Sequence, residues 1–426
     1  MNQRRKILKN SALLAGMILV RPRIISGMSH RSSDHLRVGL VGCGGRGTGA
    51  AAQALMADED VILTAMGDLF PGQIERSLDA LMEVDEIPPR IRVEERHRFT
   101  GFDAYQKVIR ACDVVILATP PAFRPEHFEF AVEEGKHIFM EKPLSCDSPG
   151  TRRILKAGEK AADKNLKVVV GLQNRYDPVY QEMVKRLQEG AIGKITTAVC
   201  YYMKGGYQIV PRNQVENELE YQIRNWHFFD WMWSGAPGGL QIHNADIVHW
   251  VKNDFPVSVQ GIGGRITKGS KTTGDSYDHF FLEYTYEDNT RLYSEIRTID
   301  RTHYKGGVWF TGTKGTANVT EGIKDHDGHV IWKPKKDPAI NPYQIELDRF
   351  FEAVRKDVSL NDTQIGAYSS QTANMGRVAA QSGNVVTREE FLKSDLRLAP
   401  EIVSWDQTPP LQPDENGHYP VIYQGM

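Results

Sequence analysis

Short runs of consecutive apolar residues alternate with stretches of helical spacing through the first 170 residues. Val38 to Val41, Val61 to Met66, Asp113 to Pro121 with a Thr-Pro turn at its end, His137 to Glu141 and Val168 to Leu172 read as buried strands. The segments between them, about 48–56, 71–82, 102–110, 126–134 and 148–164, read as helices. This alternation predicts a doubly wound parallel sheet of the Rossmann type, with helices on both faces. Beyond Gln173 the pattern changes. A helix over 178–189 stops at Gly190. Strand-like runs then follow over 195–203, 257–261, 278–286, 291–298 and 308–311, with a hairpin signal at Glu287-Asp-Asn289. Consecutive strands of this kind predict an α+β domain built on a large, mainly antiparallel sheet. Two late helices, about 344–356 and 369–381, are expected to pack back on the first domain, and the tail after Leu398 to wrap the surface. The expected division is 1–33, 34–172 and 173–426.

The first strand ends in Gly42-Cys-Gly44-Gly45-Arg46-Gly47. Gly42 permits a sharp turn, Gly44 lets a pyrophosphate approach the backbone, and Gly47 lets the helix pack against the strand. The phosphates would sit on unpaired N–H groups at the helix start. The second strand ends at Asp68, about 20 residues on, where a carboxylate can accept from the adenosine ribose hydroxyls and repel a 2′-phosphate. No basic group follows directly in Leu69-Phe70-Pro71. NAD is therefore expected over NADP. Strand ends form the ligand crevice in such a sheet, so Thr119 and Pro120 would border the nicotinamide side.

Composition narrows the class. The chain has 426 residues and a net charge of −2, which disfavours a nucleic-acid partner. Its four cysteines are scattered without a CxxC pair, so neither a zinc knuckle nor a disulfide framework is expected. Arg4-Arg5-Lys-Ile-Leu-Lys9, followed by a weakly apolar Ser11 to Val20, resembles a twin-arginine signal. It is too short to span a bilayer. Export through the twin-arginine machinery to the periplasm is the expectation. With no NAD pool outside the cytoplasm, the cofactor would have to be held tightly and regenerated in place.

Gly42-x-Gly44-x-x-Gly47, Asp68, Ala118-Thr119-Pro120, Gly135-Lys-His-Ile-Phe-Met-Glu141-Lys142-Pro143 and His243-x-x-Asp246 occur in the order found in the Gfo/Idh/MocA oxidoreductases. The chain resembles that family over about residues 35–380. The resemblance implies a cofactor site built from Gly42, Gly44, Gly45, Arg46, Gly47, Asp68, Thr119, Pro120, His127, Glu141 and Lys142. It also implies that Lys142 and His243 act on the substrate. The chemistry agrees. Oxidising a secondary alcohol removes a hydride and a proton, so a cation such as Lys142 can hold the nascent alkoxide and a base such as His243 can take the proton. Asp246, one helical turn on, could orient the imidazole or bind a hydroxyl. His249 lies about 120° round the helix from His243, so no metal site is expected at His243-x-x-Asp246-x-x-His249. Many members of the family carry a carboxylate four residues before the histidine; in this chain that position is Gly239.

Tyr221-Gln-Ile-Arg-Asn-Trp-His-Phe-Phe-Asp-Trp-Met-Trp233 is dense in aromatic residues. It suits a carbohydrate, with Arg224, Trp226 and His227 as contacts; Arg175 and Tyr176 could face the same cleft. An NAD-dependent oxidoreductase acting on a sugar or glycoside hydroxyl, for example at C3, is the leading expectation. A redox glycosidase working by oxidation, elimination, hydration and reduction is the alternative, and a non-catalytic NAD-bound sensor a third. A homodimer or tetramer is expected by resemblance.

Overall fold

The computed structural model describes residues 35–266, 274–335 and 337–423. The expected export segment, 1–33, lies outside the described residues.

Six parallel strands form the first sheet: β1 (Leu36–Val41), β2 (Val61–Asp68), β3 (Arg98–Thr100), β4 (Val114–Leu117), β5 (His137–Met140) and β6 (Val168–Val170). Their order is β3-β2-β1-β4-β5-β6. The connections reverse direction between β1 and β4, which opens a crevice at the strand ends. The central strands are buried on both faces, as their unbroken apolar runs require. Five helices cover the sheet: α1 (Gly45–Ala57), α2 (Pro71–Met82), α3 (Ala104–Arg110), α4 (Arg124–Glu133) and α5 (Ser148–Asp163). The edge strand β3 has no counterpart in the sequence reading, because Arg-Phe-Thr is too short to show a period.

The second domain adds α6 (Pro178–Gln188), β7 (Ile195–Lys204), α7 (Glu218–Arg224), α8 (Asp230–Trp233) and α9 (Ile242–Lys252). The strands β8 (Ser258–Gly264), β9 (His279–Thr285), β10 (Arg291–Thr298), β11 (Lys305–Gly312), β12 (Gly315–Asn318), β13 (Gly322–Asp325) and β14 (Val330–Trp332) follow. The chain then forms α10 (Pro342–Lys356), α11 (Thr363–Ser382), β15 (Val386–Thr387) and α12 (Arg388–Lys393). The nine-stranded order is β14-β13-β12-β11-β7-β10-β9-β8-β15. Pairing is antiparallel except between β7 and β10, which run parallel. Burial alternates strictly along β10, where Leu292, Ser294, Ile296 and Thr298 face inward.

The inner face packs on α9 and α11 in one apolar cluster. α10 lies against α1 and α11 against α5, so both late helices touch the first domain. α11 starts six residues earlier than the periodicity indicates; Asn361 accepts from the Thr363 N–H at 3.0 Å and starts it. No helix among the described residues is long and apolar enough to cross a membrane.

Candidate active site

The glycine turn is shaped by close approaches. Gly42 has φ +92°, and a Cβ there would lie 2.7 Å from the Ala118 carbonyl carbon. A Cβ on Gly47 would stand 2.0 Å from the Gly42 oxygen. Gly44 and Gly45 instead face open space, with nothing within 4 Å of a Cβ. α1 begins there with no side-chain cap and no acid in its first turn. Its free N–H groups and the cleared space above them fit a diphosphate. Arg46 leads away from that space and pairs with Glu141 at 3.1 Å, its guanidinium 4.8 Å from the Tyr343 ring centroid.

Asp68 ends β2 half-buried. Its Oδ2 accepts from the Cys43 N–H at 2.8 Å and its Oδ1 from the Phe70 N–H at 3.0 Å. Each oxygen keeps a second lone pair, which leaves room for two ribose hydroxyls. Burial raises its pKa against those N–H groups and the nearby Arg76. Arg76 lines the same cavity, a basic group that the residues directly after Asp68 do not reveal. Asp68→Ala is expected to weaken NAD binding about 10- to 100-fold, the worth of hydrogen bonds to a charged group. With Arg76 left in place, the preference over NADP should narrow. Titration with both dinucleotides measures this; an unchanged preference would remove Asp68 from the ribose site.

The cavity, about 370 Å³, runs from Gly42, Gly44 and Asp68 past Phe70 and Phe102 to Thr119, Pro120 and His127. Val210, Ile223, Arg224 and Trp226 of the second domain close its far side. His127 stacks on Tyr105 with centroids 4.1 Å apart, and its Nδ1 lies 3.3 Å from the Thr119 hydroxyl. Burial and the neighbouring Arg124 push its pKa down to about 3, so the ring is neutral. Arg124 is itself buried and donates to the carbonyls of Leu117, Thr119 and Pro143. It thereby ties the end of β4 to the Glu-Lys-Pro turn. A lone arginine at a helix start carries no sequence signal for that role.

Lys142 leaves the end of β5, and its Nζ donates to the Gly239 carbonyl at 2.8 Å. Burial lowers its pKa to about 8, with Glu141 pulling the other way. Gly239 belongs to the π-turn Pro237–Gln241 that leads into α9. One turn later stands His243, whose Nδ1 is buried without a partner. Burial and the charge of Lys142 hold that imidazole well below its ordinary pKa. Lys142 of the first domain thus lies near enough to His243 of the second for its charge to act on that imidazole.

Asp246 goes elsewhere. Arg175 grips it with two hydrogen bonds of 2.7 and 2.9 Å, and the Ser369 hydroxyl adds a third at 2.8 Å. Among the described residues no hydrogen bond joins Asp246 to His243. The carboxylate anchors α9 to the 173–176 turn and α11, and Arg175 is held there with it. Tyr176 donates to Asp362 at 2.9 Å beneath the same helices. His249 pairs with Tyr286 at 2.8 Å, so Asp246 and His249 are held by different partners and neither is bonded to His243.

An aromatic wall flanks Lys142. His227 is sandwiched between Tyr207 and Trp226, with centroids 3.8 and 3.7 Å away. Burial, Lys204 and Lys142 push its pKa down to about 3. Trp233 stands edge-on to Tyr207 and His227 at 5.3 and 5.2 Å. Its indole also fills the place beside Gly239: a Cβ on that glycine would lie 2.0 Å from the Trp233 Nε1. The missing carboxylate of the family pattern is thus replaced by an indole. Arg224 pairs with Glu220 at 2.6 Å and lies 3.9 Å over the Phe70 ring, on the cofactor side of the wall.

Residues 36–172 match the model of an oxidoreductase family with an NAD-binding Rossmann fold, and residues 180–318 match the GFO/IDH/MocA C-terminal domain. An inositol 2-dehydrogenase of Saccharopolyspora erythraea is 34% identical over 175 residues, 40% of this chain and 46% of that protein. One from Rhizobium meliloti is 25% identical over 254 residues, 57% of this chain and 62% of that protein. The chain thus matches about half to three-fifths of the length of these curated relatives. The myo-inositol 2-dehydrogenase structure from Lactobacillus plantarum superposes with a TM-score of 0.64 at 19% identity, over 83% of this chain and 99% of that one.

Proposed function

Since the chain belongs to the GFO/IDH/MocA oxidoreductase family and carries its NAD-binding domain, we propose that it oxidises a secondary hydroxyl of a cyclic polyol, sugar or glycoside. The observation that carries this reading is the Lys142–Gly239 hydrogen bond, which sets an ammonium one turn from the unpartnered imidazole of His243. NAD, when bound, takes up the hydride. Lys142 holds the charge that grows on the substrate oxygen. His243, kept unprotonated by burial and by Lys142, takes the hydroxyl proton. Tyr207 and Trp226, both partly exposed, offer apolar rings to C–H groups of a substrate. The inositol dehydrogenase relatives support a ring polyol.

The paired Arg4-Arg5 supports export in the folded state with the cofactor aboard. The outer sheet face, where Ile262 is 72% and Phe281 45% exposed, supports a homodimer or tetramer. Purified protein should carry NAD and generate NADH on addition of inositols or hexopyranosides. NAD-loaded protein that reduces its cofactor with none of them would sink the reading. Cleavage of a glycoside in D2O, with deuterium at C2 and no net NADH, would assign the redox glycosidase instead.

A further inference from the structure

The last stretch of chain lies beyond both family models, which end at residue 318. It does not trail over a free surface. Arg152 donates to the carbonyls of Leu392 and Ser394 at 2.7 and 2.8 Å, and Asp147 accepts from the Leu398 N–H at 2.7 Å. From there the tail crosses to the second domain. Gln222 donates to the Leu411 carbonyl at 2.7 Å, and the Tyr419 hydroxyl to Glu218 at 2.5 Å. Leu398, Ile402, Leu411 and Tyr419 are buried in one apolar cluster with Leu219, Ile223 and Phe229.

Between these anchors Trp405 reaches the cofactor domain. Its ring lies 4.9 Å edge-on from Phe102 and 5.7 Å from Phe70, the two aromatic residues that line the cavity beyond Asp68. Arg224 lies 3.9 Å over the same Phe70 ring, and the helix that carries Arg224 is the one the tail clamps through Gln222 and Glu218. The adenosine end of the cleft therefore has a wall from the first domain, a second from α7 and a tail that fastens one to the other.

We propose that this tail seals the adenosine end of the cleft, so that the dinucleotide stays bound from one turnover to the next. The inference rests on the NAD reading above and adds what the tail does to that site. A nucleotide leaving past Phe70 and Phe102 has to part them from Trp405 or lift α7, and both movements break contacts made only when the tail is docked. Aromatic stacking and the loss of apolar burial oppose them.

The test compares the full chain with Trp405→Ala and Trp405→Phe. Each is loaded with NADH, and release is timed by the fall in bound-NADH fluorescence after mixing with a large excess of a second NADH-binding protein. Thermal melts without cofactor confirm that the three fold alike. Trp405→Ala should release NADH at least about tenfold faster, the worth of two aromatic contacts, and Trp405→Phe should recover most of the slow rate. If all three bind NADH and release it equally fast, the seal is refuted. If the full chain binds no NADH at millimolar concentration, the NAD reading itself falls. Should Trp405→Ala lose the fold, Trp405→Leu, which keeps an apolar side chain but removes the ring contacts to Phe70 and Phe102, carries the same comparison.

Discussion

Replacing Lys142 by alanine is expected to lower kcat about 10³-fold while the nucleotide stays bound. The ammonium touches the Gly239 carbonyl and no phosphate-binding element, so its loss should spare cofactor affinity. What disappears is the cation facing the developing alkoxide, together with a charge that adds to burial in keeping His243 unprotonated. The pH profile tests the assignment further. With a pKa of about 8, Lys142 is mostly charged at neutral pH and loses its proton as the pH rises through that value. If the charged form is needed, kcat/KM holds steady near pH 7 and falls above about 8, and the fall vanishes in Lys142→Ala. A rise through pH 8 would make the neutral amine the base and exchange the roles of Lys142 and His243. Steady-state rates at saturating NAD across that range decide the matter.

Gly239→Asp should be the most damaging single change outside the reacting groups. It restores the carboxylate of the family pattern, but its Cβ would lie 2.0 Å from the Trp233 Nε1. Trp233 is 3% exposed and packed edge-on among Tyr207, Trp226 and His227, so it has no free space to enter. Overpacking of this kind costs about 1–3 kcal/mol. Moving the 237–241 turn would also take away the acceptor of Lys142. A melting point lower by several degrees and a loss of turnover are expected. In a Trp233→Ala background the space is open, so Gly239→Asp should cost less there than in the parent, whatever Trp233→Ala costs by itself. A single variant as stable and active as the parent would show that the indole is free to move.

Much of this was legible in the chain itself. The glycine turn, Asp68 and the Glu-Lys-Pro turn could be read because each follows directly on a strand whose apolar run marks it. The parallel sheet of the first domain followed from the same alternation of strands and helices. What stayed hidden depends on long-range contact. Asp246 sits one turn from His243, so local spacing suggested a pair; Arg175, 71 positions away, takes the carboxylate instead. Arg224 lies in an aromatic segment suited to sugar, yet Phe70 and Glu220 turn it to the nucleotide side. The parallel β7–β10 pair is invisible for the same reason, since strand alternation carries no direction. Trp405 gave no signal at all in a tail rich in Pro, Asp and Gln.

That tail also fixes an order of events in the making of the protein. Synthesis runs from the N-terminus, and domains fold as they emerge. The segment that reaches Phe70 and Phe102 is made after both domains are complete. If the tail seals the groove as proposed, a chain whose Trp405 has not yet been made would exchange nucleotide faster than the finished fold.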